Sequence, residues 1–364
     1  MKIPKSILKK LNERKESDSF RSLFIASNGI DFYSNDYLGI AKLKGPDEGL
    51  DGSTGSRLIS GNSTLAEQVE REAADFFNYP SATLFNSGYA ANTGLLSCLP
   101  QRGDTIIYDE LCHASIRDGI QLSKADAFKF RHNDAKHLEE RLKIAKGEVY
   151  VIVEGVYSMD GDEAHLALIS MLCEDYGAYL IVDEAHSGGV YGGKGEGLVD
   201  CSDDDDLFGA IVFAKIITFG KAFGSHGALV LGSEELKDYL INFSRPFIYT
   251  TALPPSSIAR IRFAMNAVSS AEKERLKLKE NILYFRQVAE EKKVTLLDST
   301  SPIQGVIIPT NAAVKAKAEH LLEKGFLVKA ILSPTVPKGQ ERIRICLHSY
   351  NTQKEIAALI DAMI

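Results

Sequence analysis

Short runs rich in apolar residues recur through the first two thirds of the chain, and segments with helical periodicity separate most of them. The runs occupy residues 81–85, 105–108, 149–153, 178–182, 211–214 and 228–231. Two of them, 149–153 and 178–182, are continuously apolar, which is typical of strands buried on both faces of a sheet. Alternation of such strands with helices predicts an α/β fold with a mostly parallel sheet. In that architecture ligands bind at the carboxyl ends of the strands.

The pattern changes around Leu253-Pro254-Pro255. A long charged helix is predicted over about 257–291, followed by short strands near 305–308, 327–331 and 342–347. Thr352 and Glu355 have the spacing of a capping box for a last helix. We therefore predict three segments, which are an N-terminal helix and short strand over 1–40, a large α/β domain over 41–255, and a smaller α+β domain over 256–364.

The composition argues against several functional classes. A formal net charge of −7 over 364 residues does not suit a general nucleic-acid surface. The five cysteines are scattered without a CxxC pair, which predicts free thiols and neither a disulfide framework nor a metal site. No apolar run has membrane-spanning length. Residues 1–10 are basic and lack the apolar core of a secretory signal, so we expect an amphipathic surface helix in a cytoplasmic protein.

Lys221 is the lysine whose surroundings most favour chemistry. It lies within Ile217-Thr218-Phe219-Gly220-Lys221-Ala222-Phe223-Gly224, among apolar and small residues. An apolar setting disfavours the charged form of an amine and so lowers its pKa, which makes it a nucleophile or base. Small neighbours also let a flat ligand approach the backbone. The stretch predicts a lysine that forms an imine, although a lone lysine in a glycine-rich loop is more often structural or solvated.

Other polar groups follow neighbouring predicted strands. They are Asp183, His186, Glu154, Ser158, His113, Ser87 and Gly88. The last two open a predicted helix, whose free N–H groups can hold a phosphate. A pyridine cofactor with a phosphate tail needs such a helix, an amine, a carboxylate for its ring nitrogen and an aromatic group to stack on it. Each residue alone is more often a cap, a turn or a buried structural group, but their joint placement favours a cofactor site.

Several motifs resemble those of the α-oxoamine synthases, which are enzymes of the fold type I class dependent on pyridoxal 5'-phosphate. The motifs are Asp183-Glu184-Ala185-His186, Thr218-Phe219-Gly220-Lys221 and residues 154–162, with supporting matches at 34–39, 55–57, 87–92, 113–115 and 334–337. The resemblance extends from about residue 34 to about residue 347. It implies a seven-stranded type of sheet in the large domain and a homodimer with shared active sites. It also implies condensation of a small amino acid, such as alanine, with an acyl thioester of coenzyme A or a carrier protein.

The resemblance assigns cofactor roles to individual residues. Lys221 would carry the cofactor as an imine and act as the base at the substrate α-carbon. Asp183 would pair with the pyridine nitrogen, and His113 would stack on the ring. Glu154 would belong to the cofactor site, and His186 and Ser158 would lie near the phenolic oxygen of the ring.

The resemblance also assigns contacts to the phosphate and the substrates. Ser87, Gly88, Tyr89 and Thr218 would hold the phosphate, with help from Thr250 and Thr251 of a second subunit. The positions that would meet the substrates are Asn35, Arg344, Thr335 and Arg21.

Two features depart from the family pattern. His226 follows Lys221 where a small or apolar residue is expected, and residues 43–51 leave little room for a helix. Three alternatives stay open from the sequence: a sister synthase using glycine or serine, an aminotransferase of the same fold, and a binding protein that lost its activity. The presence of Lys221, Asp183, His186 and His113 argues against the last.

Overall fold

The computed structural model describes residues 2–25, 28–47, 49–200 and 212–364. Cys201 and Ile211, the first residue of one predicted strand, lie outside these ranges. The strands are β1 Ile30–Asp31, β2 Ser81–Phe85, β3 Thr105–Asp109, β4 Asp126–Phe130, β5 Val149–Glu154, β6 Tyr179–Asp183, β7 Val212–Thr218, β8 Ala228–Gly232, β9 Ile303–Ile307, β10 Phe326–Leu327, β11 Lys329–Ile331 and β12 Arg342–Cys346. The helices are α1 Lys5–Glu16, α2 Thr64–Phe76, α3 Gly88–Cys98, α4 Ala114–Leu122, α5 Ala135–Leu142, α6 Leu166–Asp175, α7 Glu234–Phe243, α8 Arg245–Ile248, α9 Pro255–Ser269, α10 Glu272–Glu291, α11 Asn311–Glu323 and α12 Gln353–Met363.

The chain divides into two compact units. The smaller unit comprises Met1–Tyr37, Ser158–Asp162 and Leu276–Ile364, and the larger unit comprises Leu38–Tyr157 and Glu163–Arg275. The division into segments 1–40, 41–255 and 256–364 stays a prediction about domains. Among the described helices, none combines the length and the apolar character needed to cross a membrane.

The larger unit is built on a seven-stranded sheet of order β2-β8-β7-β6-β5-β3-β4. Only β8 runs against its neighbours, so the other six strands all point the same way. Nearly every residue of β5 and β6 is buried, as expected for strands covered on both faces. The mostly parallel α/β sheet predicted from the apolar runs is therefore confirmed, and its carboxyl edge collects the residues that follow β2, β3, β5, β6 and β7.

The smaller unit has an antiparallel three-stranded sheet of order β11-β12-β9, and β1 pairs in parallel with β10. Helix α12 begins with the predicted capping box, in which Thr352 and Glu355 satisfy each other's backbone N–H groups. Helix α1 forms as predicted, and none of its residues is buried.

One local prediction was wrong. The single long helix over 257–291 is in fact two helices, because α9 ends at Ser269 and α10 begins at Glu272. The buried guanidinium of Arg275 donates to the Val268 carbonyl at 2.6 Å, so a side chain satisfies the free end of α9. Helix α2 is capped by the Ser63 side chain, which accepts from the Ala66 N–H.

The turn that follows β7 depends on one glycine. Gly224 has a φ of 56°, and a Cβ atom there would lie 2.1 Å from the backbone nitrogen of Ala41. Gly220 lies in the same turn, but a Cβ atom there would meet only the Ser225 carbonyl oxygen at 3.8 Å. The two glycines therefore form a matched pair for testing how this turn is held.

We predict that Gly224→Ala lowers the free energy of unfolding by at least about 1–3 kcal/mol, since it adds both a left-handed strain and a clash. The control Gly220→Ala should change the free energy of unfolding by no more than about 1 kcal/mol. Urea unfolding followed by circular dichroism measures both. Equal effects of the two substitutions would contradict this description of the turn.

Candidate active site

The carboxyl edge of the large sheet places two carboxylates side by side. Glu154 ends β5 and Asp183 ends β6, and the parallel pairing of these strands sets the two residues opposite each other. Both side chains are buried. Adjacent buried carboxylates repel each other, so their protonation depends on the other groups at this edge.

Asp183 is held in one orientation by two hydrogen-bond donors from different parts of the chain. Asn92 of α3 donates from Nδ2 to Asp183 Oδ2 at 2.7 Å, and the Ala185 backbone N–H donates to Oδ1 at 3.0 Å. The same Asn92 amide donates to Ser115 Oγ of α4 at 3.1 Å. The two bonds to Asp183 fix the direction in which its carboxylate points.

His113 is the N-cap residue of α4, so the structural role that the sequence left open for it is present. The same residue lies at the carboxyl edge of the sheet, where it was predicted to meet the cofactor. Its Nδ1 lies 2.8 Å from Ser115 Oγ, and its backbone N–H donates to Glu154 Oε1. Burial lowers the pKa of His113; Asp183 opposes that shift and Lys221 adds to it. The ring is therefore held neutral near pH 7.

The pKa of Glu154 is strongly shifted by its surroundings at this edge. Burial, followed by the charge of Asp183, raises its pKa to about 8, while Lys221 and the bond from His113 oppose the shift. The charge of Lys221 is felt by both Glu154 and His113. The structure thus brings Lys221, Asp183, Glu154 and His113 to one place in the larger unit.

Lys221 lies in a tight turn between buried rings. The turn is closed by Gly224 N–H donating to Lys221 O at 2.8 Å and by Ser225 N–H donating to Phe219 O at 2.7 Å. Phe219 and Phe223 are fully buried, whereas Lys221 is half-buried. The apolar, small-residue setting expected from the sequence is present around this amine.

The N-terminus of α3 forms a cradle for an anion. Ser87 caps the helix by accepting from Ala90 N, which leaves the N–H groups of Gly88 and Tyr89 without a capping side chain. A Cβ atom on Gly88 would lie 3.3 Å from Thr218 Oγ1, so a larger residue would crowd that hydroxyl between the helix end and β7. The Tyr89 hydroxyl donates to Asp118, so this hydroxyl is engaged at the surface. Backbone N–H groups with a nearby hydroxyl suit a phosphate.

Three further predicted cofactor residues lie in the larger unit. His186 is buried in the loop after β6. Asn86 Nδ2 donates to the Thr251 carbonyl at 2.7 Å. This bond holds the stretch that contains Thr250 and Thr251 next to the end of β2. The Thr251 side chain is exposed, and Thr250 is half-buried. No group of three or more metal-ligating side chains occurs among the described residues.

The smaller unit gathers three of the predicted substrate and cofactor residues. Arg344 of β12 donates from Nε to the Ser158 carbonyl at 2.7 Å and from Nη2 to Asn35 Oδ1 at 3.1 Å. Its Nη1 lies 3.0 Å from the Cys346 sulfur. The guanidinium is buried, so it is a fixed cation of the kind that binds carboxylates.

Arg21 and Thr335 meet elsewhere in the smaller unit. Arg21 Nη2 donates to Thr335 Oγ1 at 3.2 Å, and both residues line a cavity of about 680 Å³. Most of the other lining residues are apolar, among them Phe24, Leu327 and Ile331. A volume of this size fits a small organic ligand.

Sequence reasoning did not single out Asn92 or Ser115, although both lie inside the matched motifs. Their polar side chains are buried on helices that cover the sheet, at positions where an apolar residue would be expected. The signal that identifies them is structural, since a buried amide lies next to a buried carboxylate. The roles of the individual site residues stay predictions.

The comparisons with known proteins agree on one family. The sequence model of the family described as aminotransferase class I and II matches residues 27–363. The 8-amino-7-oxononanoate synthase of Saccharophagus degradans is 36% identical, with the alignment covering 100% of this chain and 96% of the relative.

Solved structures agree with the sequence comparison. Serine palmitoyltransferase from S. paucimobilis, with PLP and myriocin bound, superposes with a TM-score of 0.89 at 26% identity, covering 99% of this chain and 96% of that one. The 8-amino-7-oxononanoate synthase of Francisella tularensis gives 0.79 at 31% identity, with 92% and 96% covered.

The raised pKa of Glu154 predicts a pH dependence of stability in the protein without cofactor. The folded chain keeps the Glu154 proton up to about pH 8, whereas the unfolded chain releases it near 4.5. Stability should therefore fall as pH rises through this window, by up to about 1.4 kcal/mol per pH unit from this group. Glu154→Gln should remove that part of the fall.

The matched control is Glu140→Gln, which makes the same chemical change at an exposed site. It should leave the slope of stability against pH as in the parent. Urea unfolding at several pH values between 5 and about 8 measures the slopes. A Glu154→Gln protein with the parental slope would show that the carboxyl ionises normally in the fold.

Proposed function

We propose, for a chain that belongs to the aminotransferase class I and II family and within it to the α-oxoamine synthases, that it makes 8-amino-7-oxononanoate in biotin synthesis. The chain is a pyridoxal-phosphate-dependent acyltransferase. The predicted family resemblance is thus confirmed. In the proposed reaction L-alanine and a pimeloyl thioester give the aminoketone, carbon dioxide and the free thiol.

The product name carried by the relatives supports these two substrates by carbon arithmetic. In 8-amino-7-oxononanoate, carbons 1 to 7 form a seven-carbon diacid whose second carboxyl has become the ketone. Carbons 8 and 9 form an aminoethyl group, which is alanine without its carboxylate. A pimeloyl thioester supplies the first part and alanine the second.

The observation that carries the proposal is the set of four groups at the carboxyl edge of the large sheet. Asp183 is buried and fixed by Asn92, and its environment includes Lys221, His113 and Glu154. When bound, pyridoxal phosphate supplies an electron sink for the pair left on the α-carbon of an amino acid. The residues present fit that group: an amine, a fixed carboxylate, a neutral ring, and the cradle formed by Gly88 and Thr218.

The residues of this chain divide the work between positioning and proton transfer. Asp183 would face the pyridine nitrogen and keep its proton in place, since the Asn92 and Ala185 donors fix the orientation of its carboxylate. Lys221 would hold the cofactor and would take and return the proton at the α-carbon of alanine. His113, held neutral by burial, packs as a flat ring and places no second cation beside Lys221.

Substrate carboxylates are assigned to the smaller unit. Arg344, fixed by Ser158 and Asn35, would orient the carboxylate of alanine. The cavity beside Arg21 and Thr335 would take the acyl chain. Its described lining includes four cations, Arg14, Arg21, Lys315 and Lys329, against one acid, Glu319. A cationic rim on an apolar cavity suits a chain that ends in a carboxylate better than a plain fatty acyl chain.

The experiment that tests this function is a thiol-release assay over a grid of amino acids and thioesters. We expect release with alanine and a pimeloyl thioester, and little with glycine, serine, succinyl or palmitoyl donors. Parallel donors on coenzyme A and on a carrier protein identify the natural carrier. Efficient turnover of glycine or serine would identify a sister synthase, and amino transfer to a keto acid without any thioester would identify an aminotransferase.

Heptanoyl thioester gives a matched test of the cationic cavity, because it has the pimeloyl length without the terminal carboxylate. Arg21→Gln should raise KM for the pimeloyl donor roughly tenfold or more, as expected for one lost charge-assisted hydrogen bond. It should leave KM for the heptanoyl donor nearly unchanged. An equal rise for both donors would remove Arg21 from carboxylate recognition.

We also propose that the active unit is a homodimer with shared sites. Large apolar side chains are exposed in the larger unit near the stretch that contains Thr250 and Thr251, namely those of Leu58, Ile59 and Tyr249. The Ala252 backbone N–H donates to Gly55 O, which holds this stretch next to the turn that carries two of these residues. Exposed apolar patches of this kind mark interaction surfaces, and a second copy is the commonest partner.

Mixed dimers test the sharing of sites. One chain carries Lys221→Ala and the other carries Thr250→Ala with Thr251→Ala. If the two threonines serve the partner subunit, one site collects both lesions and the other is intact, so mixing restores activity that neither parent has. If each chain serves itself, mixing restores nothing. Light scattering that gives a monomeric mass at assay concentrations would also contradict the proposal.

A further inference from the structure

A lysine is buried inside the central sheet, outside the set of residues that would touch the cofactor. The Lys215 side chain lies on β7 and is fully buried. Its Nζ is 2.9 Å from Glu184 Oε2, pairs with Asp200, and donates to the Glu196 carbonyl at 2.7 Å. A buried lysine is costly unless it is fully paired, so this cluster is a feature that the fold must maintain.

The cluster is enclosed by aromatic rings. The Phe77 and Tyr79 rings lie 5.2 and 5.9 Å from Lys215 Nζ, measured to their centroids. Burial lowers the pKa of Lys215, but the charges of Glu184 and Asp200 outweigh burial and raise it overall. The amine therefore stays charged at any pH at which the protein works.

One peptide bond joins this cluster to Asp183, the carboxylate proposed to contact the cofactor. Glu184 directly follows Asp183, and its backbone N–H donates to Ile216 O at 2.8 Å, which prolongs the pairing of β6 with β7. Successive side chains of a strand point to opposite faces. Asp183 bonds to Asn92, whereas Glu184 pairs with Lys215 and accepts from Ser187 Oγ at 3.1 Å.

Charge balance at this sheet edge depends on Lys215. On its own side lie the carboxylates of Glu184, Asp200 and Glu196 and the Tyr79 hydroxyl. On the side of Asp183 lie the titratable groups Glu154, His113, Cys112 and Lys221. Without Lys215, the neighbouring carboxylates of Glu184 and Asp200 would lose the cation that pairs with both of them and would repel each other.

We propose that Lys215 is a positioning residue for the cofactor: by pairing with Glu184 and Asp200 it fixes the end of β6, and so keeps the adjacent Asp183 carboxylate aimed at the place where the pyridine nitrogen would bind. The proposal rests on the proposed role of Asp183, but it does not depend on which substrates the enzyme uses. Its test therefore uses cofactor binding alone.

The test compares two ligands for the protein freed of cofactor, pyridoxal phosphate and its 1-deaza analogue, which has carbon in place of the ring nitrogen. In the parent, pyridoxal phosphate should bind more tightly than the analogue, since only it uses Asp183. Lys215→Met should weaken the binding of pyridoxal phosphate roughly tenfold, as expected for one weakened hydrogen bond between charged groups, and leave the binding of the analogue nearly unchanged. Lys215→Arg, which keeps the charge, should retain the parental preference.

Two further variants make the outcome decisive. Asp183→Asn should lose the same preference; if it does not, the role of Asp183 is wrong, independently of Lys215. Lys215→Met with Glu184→Gln removes one charge of each sign, which leaves the net charge of the cluster as in the parent with Asp200 as the remaining acid, and it should recover the preference for pyridoxal phosphate. The proposal is overturned if Lys215→Met weakens both ligands equally, or if the double variant folds without recovering the preference.

Discussion

The parallel pairing of β5 with β6 is the constraint from which the rest of the site follows. It sets Glu154 and Asp183 opposite each other at a buried sheet edge. Two carboxylates in that position must share protons and find counter-charges. On one side of the sheet, the charge of Lys221 acts on Glu154, and Asn92 and Ala185 donate hydrogen bonds to Asp183. On the other side, Lys215 pairs with Glu184, the residue next to Asp183. The chemistry and the stability of this region are therefore two aspects of one charge arrangement.

Much of the large sheet could be predicted from the sequence because its strands are buried on both faces. A short, continuously apolar run such as β6 is typical of a buried strand. The residue that follows it then lies at the carboxyl edge of the sheet. The same reasoning missed β4, whose residues are mostly exposed and include Asp126 and Lys129. An edge strand carries little apolar signal, since one of its faces meets water.

The break between α9 and α10 escaped prediction for a different reason. The charged helical periodicity runs through residues 270 and 271 without a glycine or proline to stop it. What ends α9 is the buried guanidinium of Arg275, bonded to the Val268 carbonyl. A tertiary contact of this kind has no local sequence signature, and the same holds for the bond from Asn92 to Asp183.

The central claim is that Lys221 carries the cofactor beside Asp183, and borohydride reduction of the loaded enzyme tests it most directly. Reduction fixes the cofactor on the amine that holds it, and peptide mapping then identifies that amine. The account predicts a pyridoxyl group on Lys221 and none on Lys215, which is only six positions away but sealed inside the sheet. A label on any other lysine, or on none, would contradict the account.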